Sequence, residues 1–141
     1  MPEPKKKFDL PMPKFPEPDT EPFWDAAKNH ELRYQVCDEC GGIVFHPRRH
    51  CTHCPSLNLT WKTSKGEGVI YSYSVVRQNY HPAFRERIPY VVAWIDLDEG
   101  FRMLSNVVGI DDPASDVSIG QRVRVEWQDF EAASLPMFTP A

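Results

Sequence analysis

Cys37-x-x-Cys40 and Cys51-x-x-Cys54 are the residues whose types and spacing most directly imply chemistry, and they are the chain's only four cysteines. Two such pairs, ten residues apart, form the pattern of one tetrahedral zinc site, each pair setting two thiolates on a tight turn. Gly41-Gly42 follow the first pair and permit the positive φ that lets backbone N–H groups approach sulfur; Pro55 closes the second. Disulfide pairing is the weaker reading, because no secretory signal accompanies the cysteines. A redox pair is weaker still, with two pairs present and no thioredoxin-like βαβ pattern. Four thiolates fill the coordination sphere and leave no place for water or substrate, so the zinc is expected to be structural. Such binding supplies roughly 10–16 kcal/mol of folding free energy, which suits a ribbon without a core of its own. His46, His50 and His53 crowd the same stretch and are expected on the ribbon surface, since the cysteines already satisfy the metal.

Catalytic chemistry is harder to find. The sequence has no G-x-S-x-G, H-E-x-x-H, Walker A or G-x-G-x-x-G element, and no catalytic residue is assigned. Tyr80-His81 can serve acid–base chemistry, but no spacing identifies a partner carboxylate. Arg77, Arg85 and Arg87 bracket the same stretch. Their guanidinium forks suit phosphates, or they belong to a charged loop facing solvent. Together with Phe84 these residues are the substrate-binding candidates.

The elements that must position these groups follow from length and pattern. A chain of 141 residues is one domain, or one with a small appendage. Its net charge is −4 and its pI about 5.7, which argues against a nucleic-acid binder. No apolar run long enough to span a bilayer occurs, and a cytoplasmic location is expected. Residues 1–18 carry six prolines and are expected to be an extended arm. Phe8, Leu10, Met12 and Phe15 give that arm apolar points for docking on its own domain or on a partner. Residues 19–31 are expected to form a helix, capped by Asp19 or Thr20 with Pro22 in its first turn. Alternation of Leu32, Tyr34 and Val36, then Ile43 to Phe45, places a zinc ribbon over 32–56.

Residues 57–130 show five strand signals: Leu57 to Thr63, Val69 to Val75, Tyr90 to Leu97, Phe101 to Val108 and Val123 to Trp127. In the second, Val69, Tyr71, Tyr73 and Val75 are expected to share a face. Five short strands at this spacing predict a small barrel of the OB-fold type. The fold class is therefore mainly β: a helix, a zinc ribbon and a five-stranded OB-fold barrel between two extended arms. Residues 131–141 are the second arm, with Leu135, Met137 and Phe138 as docking points. The stretch from Arg77 to Pro89 is long for a hairpin connection, and loops of that length often carry function.

The order of these features resembles one family. Phe23-Trp24 on the helix, the four-cysteine ribbon, Gly66-x-Gly68-x-x-Tyr71-Ser72-Tyr73, Pro89-Tyr90-Val91-Val92-Ala93, Glu99-Gly100 and Ile119-Gly120-x-x-Val123-x-Val125 carry the resemblance. It is to the acyl-CoA-associated OB-fold proteins with a rubredoxin-like zinc ribbon, long catalogued as a domain of unknown function. The resemblance implies a non-catalytic accessory subunit of a thiolase-fold enzyme, an aldolase or thiolase, with hydratases as partners of some members. It implies acyl-CoA at or near the interface, a retro-aldol cleavage of steroid side chains in one branch, and catalytic residues on the partner. Only the four cysteines carry over as site residues. Two other readings stay open: a nucleic-acid-binding module, with Tyr71, Tyr73 and Trp94 stacking bases, and a small independent enzyme using Tyr80-His81.

Overall fold

A computed structural model describes residues 10–13 and 17–141. Helix α1 spans Glu21–Lys28, with Pro22 in its first turn and Phe23, Ala26 and Ala27 buried. Thr20 occupies the N-cap position, but its side chain makes no capping bond. The helix end is tied down instead: His30 Nε2 bonds Asp129 Oδ1 at 2.8 Å, and its ring stacks on Trp127 at 5.5 Å.

Strand β1 (Arg33–Cys37) leads into the first cysteine pair, and β2 (Ile43–Val44) returns from it. Strand β3 (Leu59–Thr63) pairs with the other edge of β1, from Arg33↔Thr63 to Cys37↔Leu59, giving the order β2-β1-β3. This corrects the reading of residues 57–63 as the first barrel strand. β3 buries no side chain fully, so it lacks the inward apolar face that a barrel strand needs, whereas β1 needs a partner on its open edge.

The barrel comprises β4 (Glu67–Val76), β5 (Tyr90–Leu97), β6 (Arg102–Val107), β7 (Arg122–Asp129) and β8 (Ser134–Pro140), closed in the order β4-β5-β6-β8-β7. The strand count of the OB-fold expectation stands, with β8 in place of β3. Val91, Ala93, Ile95 and Leu97 point inward by simple alternation, against Ile70, Met103, Val107, Val123 and Phe138. In β4 the alternation fails. The register shifts between Ile70 and Ser72, and this bulge turns Tyr71 outward while Ile70 is buried. Tyr71 therefore does not share a face with Tyr73 and Val75, which pack on the core. Gly68 of β4 lies so close to β5 that a Cβ there would strike the carbonyl of Asp96.

Residues 131–141 are not a free arm. β8 pairs with β7 from Val123↔Pro140 to Asp129↔Ser134, and Phe138 is completely buried. The ladder tolerates both prolines for a geometric reason. Phe130 N–H donates to Ala133 O and Ala141 N–H to Arg122 O, so in this antiparallel pair the even-numbered residues of β8 turn their backbone groups away from β7. Pro136 and Pro140 occupy such positions and cost β7 no bond. On its other side β8 meets β6 in parallel, with Val107↔Phe138 as the one register pair. Val108 N–H donates to Phe138 O. Pro136 has no N–H with which to extend that ladder, and its carbonyl accepts from Ser105 Oγ at 2.7 Å instead.

Ribbon and barrel form one packed unit. Phe101, at the start of β6, stacks on Tyr34 of β1 at 5.0 Å and on Phe45 at 4.7 Å. Phe23 of α1 meets Phe45 edge-on at 5.9 Å. Glu99, in the β5–β6 turn, accepts from Ser64 Oγ at 2.6 Å and Lys65 N at 2.9 Å, fixing the segment between ribbon and barrel.

Phe138→Ala should lower stability by about 3–5 kcal/mol, the usual cost of emptying a buried phenylalanine site. Thermal melting of the zinc-loaded protein measures it. An unchanged melting temperature would show that β8 is dispensable to the barrel.

Candidate metal centre and loop site

The metal centre is built by two turns that face each other. β1 delivers Cys37, and Cys40 follows on a turn closed by Gly41 N–H to Cys37 O at 3.0 Å, with Gly41 at φ 71°. Cys51 and Cys54 sit on the second turn, closed by Cys51 N–H to Ser56 O at 2.9 Å. The four sulfurs lie within 4.8 Å of one another. Cys37 and Cys54 Sγ are 3.6 Å apart, as are Cys40 and Cys51. Zn–S bonds of about 2.3 Å set the edge of a tetrahedron at about 3.8 Å, so the cage has zinc dimensions and is too open for disulfides.

Backbone donors turn toward the sulfurs, as a thiolate cage requires. Gly42 N–H points at Cys40 Sγ at 3.4 Å and His53 N–H at Cys51 Sγ at 3.3 Å. The Cys40 amide pulls the Cys37 thiol down to about 6. The Ser56 amide pulls on Cys54 too, but burial and the three cysteines around it outweigh this and push it up to about 12. The Cys37 thiolate forms readily, whereas Cys40 and Cys54 resist until a dication supplies the missing positive charge and releases their protons. His53 is not a ligand; its Nε2 lies 3.0 Å from the carbonyl of Ile43, bracing the second turn against β2. The site holds structural zinc through Cys37, Cys40, Cys51 and Cys54.

The stretch between β4 and β5 is an ordered loop around a short helix, α2 (Pro82–Arg85). His81 caps it, its Nδ1 accepting from Ala83 N at 3.2 Å. Asn79 clamps the loop, with Oδ1 accepting from His81 N at 2.9 Å and Nδ2 donating to Tyr90 Oη at 2.9 Å. Arg85 Nη2 donates to Tyr80 O at 3.3 Å. The loop candidates thus divide. Phe84 and Arg87 face a concavity beside the barrel. Arg77, Tyr80, His81 and Arg85 are exposed and do not line it. His81 makes no bond to a carboxylate among the described residues, and its ring works as a cap.

The docking candidates divide as well. Leu10 and Met12 are half-buried, and Leu10 lines the same concavity as Leu135 and Met137. Phe138 faces the barrel interior and is unavailable to a partner. Phe8 and Phe15 lie outside the described residues. Asn106, Ile110 and Gln128, which line the concavity, were not legible as site residues. They come from separate elements and share no motif, so only the fold brings them to one place.

Cys40→Ser should lower bound zinc and destabilise residues 32–63, because one lost thiolate opens a cage on which the ribbon depends. Metal analysis and melting check this together. Full zinc occupancy with an unchanged melting temperature would overturn the assignment.

Comparison with known proteins agrees with this architecture. Residues 24–60 match the family described as the ChsH2 rubredoxin-like zinc ribbon domain, and residues 61–128 the ChsH2 C-terminal OB-fold domain. A 3-oxo-4,17-pregnadiene-20-carboxyl-CoA hydratase alpha subunit of Mycobacterium tuberculosis is 35% identical over 86% of this chain and 38% of its own length. The chain therefore spans little more than a third of the curated hydratase subunits it matches. A DUF35 domain-containing scaffold protein of Methanothermobacter thermautotrophicus is 31% identical over 72% of this chain and 80% of that protein. A solved structure titled Ltp2-ChsH2(DUF35) aldolase superposes with a TM-score of 0.80 at 35% identity, covering 91% of this chain and 98% of that one. With its thiolate cage, its ribbon and its barrel matched along most of their length, this chain belongs to the DUF35 family of ChsH2-type zinc-ribbon and OB-fold proteins.

Proposed function

We propose that the chain is a non-catalytic accessory subunit of a thiolase-fold acyl-CoA enzyme, and that its partner is a lipid-transfer-type aldolase performing retro-aldol cleavage of a steroid side-chain acyl-CoA. The observation that carries this reading is the likeness to the chain of the solved aldolase complex, which extends over nearly all of that chain. The hydratase relative bears a steroid carboxyl-CoA in its name, which supports the substrate class. The site chemistry points the same way. The metal cage is coordinatively full, and the one loop histidine is committed to capping α2. What remains is binding.

In this reading the loop from Arg77 to Pro89 faces the acyl-CoA at the mouth of the partner's active site. Arg77 and Arg85 are exposed cations on a loop held in shape by Asn79. Guanidinium forks recognise the phosphates of CoA, and Tyr80, 80% exposed, offers its face to the adenine. Leu10, Met12, Leu135 and Met137 supply apolar contact to the partner or to the arm.

Two measurements test the proposal. Affinity purification from the native source should recover a thiolase-fold enzyme in stoichiometric amount. In the reconstituted complex, Arg85→Ala and Arg87→Ala should raise KM for the acyl-CoA severalfold, with zinc content and assembly intact. His81→Ala should reduce kcat by far less than the roughly 10²–10⁴-fold that accompanies loss of a general acid or base. A loss of kcat on that scale with assembly preserved would place chemistry on this chain.

A further inference from the structure

Beside the barrel, where the loop before β5, the turn after β6 and strand β8 meet, lies a groove-like concavity of about 440 Å³. Phe84, Tyr90, Ile110, Leu135 and Met137 make its walls largely apolar. The chain's own N-terminal segment already enters it. Leu10 and Pro11 line the groove, and Leu10 is half-buried. A second concavity of about 320 Å³ lies beneath α1, shares Asn106, Leu135 and Met137 with the first, and is lined by Thr20. The segment leading to α1 is thus seated at Leu10 and again at Thr20 on one side of the barrel. Leu10 is the first residue that the structure describes, and nine residues of the sequence precede it. Those nine hold Phe8, and Lys5, Lys6 and Lys7 in a row. The rim of the groove is acidic where the turn after β6 meets it. Asp111 lines the groove, Asp112 and Asp116 stand beside it, and all three are exposed. One carboxylate oxygen of Asp116 accepts from the amides of Asp111 and Asp112, at 3.0 and 2.8 Å, which holds the three charges close together.

We propose that residues 5–9 of this same chain complete the docking that Leu10 begins, with Phe8 in the apolar groove and Lys5, Lys6 and Lys7 against the acidic turn. The spacing suits this occupant. Phe8 stands two residues before Leu10, so in an extended segment both side chains fall on one side, about 7 Å apart. Lys7 is three residues from Leu10, about 10 Å of extended chain, and Lys5 about 17 Å. That span reaches across a groove of this volume to Asp111. Composition suits it as well. Proline-rich segments are already extended, lose little freedom on docking and are received by aromatic-lined grooves. Phe84 and Tyr90 supply the rings here. A phenylalanine gains by leaving water for such walls, and the lysines meet opposite charge. This docking is independent of which enzyme the chain serves.

The test is NMR spectroscopy of the zinc-loaded full chain, together with limited trypsin digestion. Nuclear Overhauser effects should join the Phe8 ring to the methyl groups of Ile110, Leu135 and Met137. Trypsin should cut slowly after Lys5, Lys6 and Lys7. Phe8→Ala should speed that cleavage about tenfold or more, as expected for losing a buried phenylalanine. Asp111→Asn should speed it only about twofold, since an exposed ion pair contributes little. Ile110→Trp fills the groove and should abolish the Overhauser effects while freeing the cleavage. Leu135→Trp serves the same purpose if the first variant loses zinc or melts early. Absence of Phe8 contacts, with equal cleavage of the full chain and of Phe8→Ala, overturns the proposal. Contacts that survive both tryptophan variants overturn it too, since Phe8 would then sit elsewhere. So do Overhauser effects that arise only between differently labelled chains in a mixed sample, because a second copy's arm would then fill the groove.

Discussion

The structure depends on one aromatic contact. Phe101 stands at the tip of the β5–β6 hairpin, and its ring is shared between Tyr34 of the ribbon and Phe45 just beyond β2. A ribbon of three short strands cannot bury enough surface to be stable alone, and a small barrel has one end that must be covered. The stack satisfies both needs. Phe23 extends it to α1, so helix, ribbon and barrel share one core cluster. Glu99 adds direction to this apolar contact. By holding Ser64 and Lys65 it fixes the ribbon's approach, which aromatic packing alone would leave free to slide.

This arrangement divides labour. The thiolate cage shapes the ribbon, and none of its ligands lines either concavity. The loop between β4 and β5 is shaped by its own side chains, chiefly Asn79 and His81. Metal and loop are therefore independent in construction, although both are anchored to the same barrel. An accessory role suits such a molecule, which carries a full metal cage and a loop held in shape by its own side chains.

What the sequence made legible was local. The cysteine turns, the β5–β6 hairpin with its Glu99-Gly100 turn, and the proline in the first turn of α1 lie within a few residues of their own signals. What stayed hidden depends on pairing. Pro136 and Pro140 look like marks of an irregular tail, and only the register against β7 shows that both fall where no ladder bond is needed. β3 has strand alternation but no buried side chain, and alternation alone does not say which sheet receives it. The bulge at Tyr71 reverses the facing of one aromatic without any glycine to announce it. The groove is hidden for the same reason, since Phe84, Ile110, Gln128 and Leu135 come from four separate elements.

The meeting of β6 and β8 has a mechanical consequence. Other joints of the barrel are sewn with runs of backbone bonds, whose spacing fixes the distance between strands. Here Pro136 stops the run, and a serine hydroxyl takes over part of the stitching. A hydroxyl on a rotatable side chain follows a carbonyl that moves, as a peptide N–H cannot. Among the joints of this barrel, the one between β6 and β8 thus rests on the shortest backbone ladder, and a side chain completes it.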